Sequence, residues 1–479
     1  MYNQSFTVET FQEIFDKENR KGKNIETRFK DDFEKSLDVL TALKDTNAKL
    51  KTETNEQRKI ALFEKKKEQK QEREVLIKQV LLKTAKNISK KKSINLLEGD
   101  VHGKQSYKLE NSIENFFISK KIQQNLLKSY NIKQSNRYSV LSELVNLLED
   151  GFPKYVIRTD IKSFYESIPQ KMLRDKINTD HLLSIKTKEF INKTLDSYNS
   201  LTGQTNIELA KGIPRGVGFS AYLSELFMRK IDNKLKKLDD VIYYARYVDD
   251  IIILFIPTTK NASRDYLNNY KSQLVDIVKT ESNGFLELNS RKTKEYNLLL
   301  GLREINLNRR TPNPINFLGY RFGSENSKQI KILLSKSKID KYKRKIKGAF
   351  DSFKLKKGHN RKEAFKLLGA RIEYLSTNTK LRNNKDKVFV GIYYSNSFLN
   401  NEESLVELQK YLKWYIKRAS LNTEEKNILL KHDFVSGYKT KKFILLPLKR
   451  KLYRNYNKKG STNIGVLQYG LIEINSIWK

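Results

Sequence analysis

The sequence predicts an α+β chain: a centre of short strands and helices, flanked on both sides by mostly helical regions. Three observations predict it. All seven prolines lie at or after Pro153, and six of them fall between Pro153 and Pro314, so both flanks are largely free of helix breakers. The centre holds short β-branched and aromatic runs (KYVIRTDI, VIYYARYV, IIILFIP and INFLGYRF) separated by Gly and Pro, as strands are. Outside that centre the apolar residues recur at helical spacing.

Taken in order, Phe29, Phe33, Leu37, Leu40 and Leu43 form a helical stripe. Residues 63–92 read as one long basic helix or two. Residues 105–150 read as further helices, ending in RYSVLSELVNLLEDG. The mixed centre runs from about 153 to 322. Basic helices return after residue 325, with one stripe at Ile339, Tyr342, Ile346 and Phe350 and another at Leu367, Leu368, Ile372 and Leu375. A strand-like patch, KVFVGIYYS at 387–395, interrupts them.

The 479 residues carry 94 Lys and Arg against 55 Asp and Glu, a net charge of +39. Self-repulsion of that size points to a polyanionic partner, nucleic acid first. Aromatic residues make up 11% of the chain, which excludes a disordered basic tail. The absence of Cys excludes disulfides, thiol nucleophiles and Cys-bearing zinc sites. The four His (His102, His181, His359 and His432) show no metal-ligand spacing. The N-terminus has no basic-then-apolar leader, and no stretch nears the roughly 20 apolar residues of a membrane span. The expected location is the cytoplasm, with no membrane partner.

The chemistry concentrates in two places. VIYYARYVDDIIILFIP has the shape of a β-hairpin whose turn carries Asp249 and Asp250. Adjacent carboxylates at the end of an apolar ribbon are costly unless a cation balances them, and hard oxygen ligands suit Mg²⁺. Asp160 ends a second apolar run, where the residues alone leave it open as the cap of the next helical turn. If a shared sheet joins Asp160 to the hairpin, the set is the minimum cage for two Mg²⁺ ions in phosphoryl transfer. That reading requires the three side chains to converge, unplugged by an internal Arg or Lys. Arg158 lies two residues before Asp160 on the same strand face; with Arg137 it is a candidate for binding a triphosphate.

From about 130 to 322 the segments resemble the ordered motifs of reverse transcriptases. Asp160 with Phe164 and Tyr165 resembles the first palm motif, which implies that Tyr165 abuts the sugar and excludes a 2′-hydroxyl. GIPRGVGFSAYLSELFMRKID (212–232) resembles the second. Gly212, Pro214, Arg215 and Gly216 would then line the incoming nucleotide, with the glycines permitting close backbone approach to it. Arg215 stands where most of the family has Gln. Tyr247-Val248-Asp249-Asp250 resembles the third motif, with Tyr247 on the substrate side. LELNSRKTKEY (286–296) resembles the fourth, which implies that Lys292 protonates pyrophosphate. INFLGYRF resembles the primer grip, with Phe317, Leu318 and Gly319 holding the primer end.

The resemblance implies a right-hand polymerase with an antiparallel palm sheet. Residues 1–100 would be an N-terminal helical extension, 101–325 fingers and palm, and 326–479 a helical thumb. The implied metal set is Asp160, Ile161, Asp249 and Asp250, holding two Mg²⁺ ions for which Mn²⁺ can substitute. RTDIKSFYESIP, GIPRGVGFSAYLSE and GARIEYLSTNTKL…VGIYYSNSFLN narrow the likeness to bacterial abortive-infection and defence-associated reverse transcriptases. That implies antiphage defence, deoxynucleoside triphosphate substrates, a noncoding RNA or DNA product as partner, and a second protein or further copies of the chain. Synthesis in such enzymes is sometimes untemplated or protein-primed. The competing readings are a retron or group II intron-type enzyme of a mobile element, and a catalytically silent nucleic-acid scaffold. The cation-dense segments 338–366 and 439–460 are expected to track nucleic-acid phosphates.

Overall fold

In the computed structural model, which describes residues 2–101, 103–256, 264–305, 307, 314–324, 329–381, 388–453 and 466–478, the proline-free N-terminal stretch is mostly helical. The chain divides into two compact units, each assembled from three separate segments. The first comprises Met1–Gln134, Ile161–Leu238 and Ser272–Asn289; the second comprises Ser135–Asp160, Asp239–Lys271 and Ser290–Lys479.

In the first unit the basic run becomes a single 35-residue helix, Glu56–Lys90, started by the Asn55 side chain, which accepts from the Arg58 amide. It buries only Ile77, Leu81, Thr84 and Ile88, one narrow stripe, and leaves most of its cations in solvent. Phe29 and Phe33 are buried, but they sit in the turn before the helix Glu34–Thr52 rather than on it. Residues 105–109 are not helical as expected. Strands β1 (Leu96–Val101) and β2 (Lys104–Leu109) form an antiparallel hairpin there. Five of the six β1 residues are exposed, so no apolar alternation announces the strand. Ser112 then caps Ile113–Ser129, which buries Phe116, Phe117, Ile118, Ile122 and Leu126.

The second unit is built on a four-stranded antiparallel sheet in the order β4-β5-β3-β6, with β3 Tyr155–Asp160, β4 Val241–Tyr247, β5 Asp250–Phe255 and β6 Lys294–Asn297. The two central strands explain the apolar runs. Ile251 to Phe255 are fully buried, as are Tyr155 and Val156. A three-stranded sheet follows, formed by β7 (Ile315–Phe317), β8 (Tyr320–Gly323) and β9 (Lys331–Leu334). Its inner face shares one core with Ile339, Ile346 and Phe350 of the helix Lys336–Lys356 and with Leu368, Ile372 and Leu375 of the helix Arg361–Ser376. Both expected stripes are thus core-facing, with Tyr342 packed at the margin. The strand-like patch is realised as β11 (Val388–Gly391), paired antiparallel with β10 (Asn378–Leu381).

Arg371 is the largest fully buried side chain of this unit. Its guanidinium donates to the Ile474 carbonyl at 3.2 Å, to Ser352 Oγ at 2.9 Å and to Ser476 Oγ at 3.4 Å. One arginine thereby ties the C-terminal turn to two helices. Of the cation-rich segment 439–460, residues 454–460 lie outside the described residues. No helix among the described residues is long and apolar enough to cross a membrane.

Candidate active site

The acidic hairpin owes its shape to one turn. Tyr247 and Asp250 are cross-strand partners, so Val248 and Asp249 form a two-residue connection. Val248 has φ +61°, while Asp249 is not in the positive-φ region, the pattern of a type II′ turn with valine where glycine is usual. A β-branched residue held there is strained by about 1–3 kcal/mol. Arg246, only 4% exposed, donates from Nη1 to the Val248 carbonyl at 2.9 Å and clamps the turn from beneath. Val248→Gly is expected to stabilise the second unit by about 1 kcal/mol, the strain relieved less the backbone entropy of glycine. Urea unfolding followed by fluorescence reads this unit alone, because both tryptophans, Trp414 and Trp478, belong to it. A midpoint at or below that of the wild type would contradict the strain.

The sheet brings the carboxylates together. Asp160 closes β3 directly opposite Asp250 in the β3–β5 register, and Asp249 precedes Asp250 in the turn. The Asp250 carboxyl is pushed above the ordinary Asp value, mainly by burial; Arg158 opposes the rise, and the charges of Asp249 and Asp160 add to it. The side chains are not unplugged, contrary to the expectation. Arg158 Nη2 lies 2.7 Å from Asp250 Oδ1, and Lys292 Nζ lies 2.6 Å from Asp160 Oδ2. The reason is electrostatic: carboxylates crowded at a half-buried sheet end draw in the nearest cations. Among the described residues no three His, Cys, Asp or Glu are drawn together closely enough to hold a metal ion. Yet Asp160 Oδ1 is buried without a hydrogen-bond partner, and Lys292 is more than half exposed, so its displacement leaves it in water rather than in the core. A buried carboxylate oxygen left without a partner, across the β3–β5 register from Asp250, fits a hard-oxygen ligand of a divalent cation. Ile161 begins the first unit and forms an isolated bridge with Leu288.

In the first unit the expected nucleotide loop is tied to its own protein. Arg215 forms a two-pronged pair with Glu166 (Nε to Oε1 at 3.0 Å, Nη2 to Oε2 at 3.1 Å) and lies over the Tyr165 ring at 5.3 Å. Gly212 and Gly216 have φ of +92° and +99°. A Cβ at Gly212 would meet Tyr198 Oη at 2.7 Å; at Gly216 it would meet the Tyr107 carbonyl at 2.7 Å. These glycines therefore serve close approach of the chain to itself, a demand made by the fold whatever else the loop meets. Pro214 is buried, and its carbonyl accepts from Ser220 Oγ at 2.8 Å.

The expected primer-grip hairpin is β7–β8, with Leu318 and Gly319 forming a two-residue turn at φ +43° and +82°. Phe317 points into the core at 1% exposure, which leaves only the turn to meet a strand end. Arg137 is spent on this turn: it donates to the Leu318 carbonyl at 2.6 Å and lies over Tyr320. Two functional candidates are hard to find by sequence. Glu166 has no pattern to mark it beyond an ordinary polar residue. Arg246 carried a legible signal, the one charge within the run YYARYV.

The family profile described as reverse transcriptase (RNA-dependent DNA polymerase) matches residues 64–322. No curated protein matches the chain. Among solved structures, the chain is similar to telomerase from Candida albicans in complex with a fragment of telomeric RNA, at 12% identity and a TM-score of 0.33, covering 75% of this chain and 65% of that one. It is also similar to apo telomerase from Candida tropicalis, at 13% identity and a TM-score of 0.34, covering 73% and 62%. The chain spans less than two thirds of the length of either.

Proposed function

Because the chain belongs to the reverse transcriptase (RNA-dependent DNA polymerase) family, whose profile covers more than half of it, we propose that it adds deoxynucleotides to a 3′-hydroxyl, or to a protein hydroxyl at initiation. The observation that carries this reading is the register of the central sheet: Asp160 opposite Asp250, Asp249 beside it, and one Asp160 oxygen buried without a partner. Asp160, Asp249 and Asp250, with the Ile161 carbonyl, would hold two Mg²⁺ ions, for which Mn²⁺ can substitute. Bound there, the ions would supply Lewis-acid chemistry for the attacking hydroxyl and the leaving pyrophosphate.

The remaining groups are this chain's own. Lys292 exchanges Asp160 for the pyrophosphate and donates a proton from Nζ as it leaves. Arg158 trades Asp250 for the triphosphate. Tyr165, backed by the Arg215–Glu166 pair, bars a 2′-hydroxyl. Gly212, Pro214, Gly216 and Tyr247 frame the nucleotide, while Leu318 and Gly319 steady the primer end. Residues 1–100 serve as a helical extension, 101–325 as fingers and palm, and 326–479 as a thumb.

The biological setting we infer is antiphage defence in the bacterial cytoplasm, supported by the resemblance of the 158–169, 212–225 and 369–400 segments to defence-associated enzymes. A noncoding RNA or the DNA product, and a second protein or further copies of the chain, are the partners that go with it. Purified protein is expected to incorporate labelled deoxynucleotide with Mg²⁺ or Mn²⁺ and to lose this in EDTA. No incorporation with either ion, on RNA, on DNA or without a template, would leave the silent scaffold as the better reading. Sequencing the co-purifying nucleic acid separates defence from a mobile element's own RNA.

A further inference from the structure

Within the second unit, the helix Lys336–Lys356 presents Lys338, Lys341 and Lys345 around one cavity of about 190 Å³. Their spacing of three and four residues puts them on one helix face. The opposite wall comes from Tyr374, from Gly391 at the end of β11 and from Ser395 in the turn beyond it. No carboxylate lines the cavity, and among the described residues none pairs with any of the three lysines. The first turn of the helix has no acid, and its free amides add positive potential at the same end.

We infer that this cavity is a binding site for a terminal phosphate group, either a phosphomonoester or a pyrophosphoryl group. Charge matching favours that class over a backbone phosphodiester. Three lysines line this one small cavity, with Lys338 Nζ resting over the Tyr320 ring and Lys345 Nζ over the Trp478 ring until an anion draws them in, and a phosphomonoester brings close to two negative charges where a diester brings one. The tyrosine rings of Tyr342 and Tyr374 give the cavity a firm, partly apolar wall. An uncompensated cluster of cations is costly without an anion, and the lysines register that cost. Burial, with help from Arg137 and Lys341, pushes Lys338 down to about 7; burial lowers Lys345 as well. The phosphate could be the 5′ end of a nucleic-acid strand or part of a free nucleotide or pyrophosphate, and the chemistry is shared.

Lys338 also donates to the Ser395 carbonyl at 3.0 Å, so replacing it risks the local fold. The test therefore uses Lys341, which is exposed, and Lys345, which is half-buried. Equilibrium dialysis with radiolabelled pyrophosphate in EDTA removes metal-dependent binding at the carboxylates, and comparison of the variants below separates this cavity from Arg158 and Lys292. The full-length protein is expected to bind, and Lys341→Gln with Lys345→Gln to weaken binding at least tenfold. Lys341→Gln alone should produce an intermediate loss. Lys66→Gln with Lys67→Gln, which removes the same charge from the first unit, should change nothing. Absence of wild-type binding, or equal losses in the two double variants, overturns the inference. An oligonucleotide with a 5′-phosphate that outcompetes its 5′-hydroxyl twin tenfold assigns the phosphate to a strand end; equal competition by the two assigns it to a free ligand.

Discussion

Replacing Asp249 and Asp250 together with alanine is expected to abolish divalent-dependent nucleotide incorporation, a loss of roughly 10³-fold or more. Stabilising the charge of a phosphoryl-transfer transition state through a metal pair contributes several kcal/mol, and each 1.36 kcal/mol is tenfold in rate. Retained incorporation in the variant would remove the catalytic assignment. A second readout does not depend on activity. Mg²⁺ or Mn²⁺ should raise the melting temperature of the wild type by mass action and leave the variant unmoved. A third uses Asp250→Asn, which keeps an oxygen opposite Arg158. The Asp250 carboxyl titrates above its ordinary value, so the folded protein holds that proton more tightly than the unfolded chain. Its contribution is therefore favourable at acid pH and is lost as pH rises through the raised value. Without metal, Asp250→Asn should match the wild type in acid and exceed it in stability at neutral pH.

Arg371→Met is expected to destabilise the second unit by roughly 3–5 kcal/mol, despite conserving most of the side-chain volume. A buried cation has a large desolvation cost, and exchange for an apolar residue is sometimes neutral when every partner is also replaced. Here the partners stay. The Ile474 carbonyl and the Ser352 hydroxyl lose their donor inside the protein, while Ser476, which is exposed, turns to water. Each buried group left unsatisfied costs about 1–3 kcal/mol. Fluorescence-monitored urea unfolding should show the midpoint fall with an unchanged slope. A shift equivalent to less than about 0.5 kcal/mol would mean that the C-terminal turn is held by its apolar contacts alone.

The parts of this molecule that were legible in the sequence are those governed by short-range pattern. Ile339, Ile346 and Phe350 announced a buried helical face by spacing, and Ile251 to Phe255 announced a central strand by being apolar without interruption. Asp160 and the 249–250 pair stood out because acids are rare at the ends of such runs. What escaped depended on distant partners. Gly216 was readable as a glycine, but the residue that demands it, Tyr107, lies on a hairpin whose outward face is polar. Arg158 and Lys292 were each assigned to substrate, and only the folded sheet reveals that they hold Asp250 and Asp160. Arg137 likewise belongs to a turn 181 residues away.

The threading of both units from three segments bears on how the protein is made. Strand β3 is complete at Asp160, but its neighbour β6 ends only at Asn297. At ~5–20 residues/s a ribosome needs roughly 7–27 s to travel between them. Both flanks of the greasy stretch around Val156 and Ile157 stay unpaired until β5 is made, and the β6 flank throughout that interval, which makes the stretch a natural client for nascent-chain holdases. Slowed elongation downstream of codon 160 should lengthen that exposure and lower the yield of active protein, with no change in the finished polypeptide.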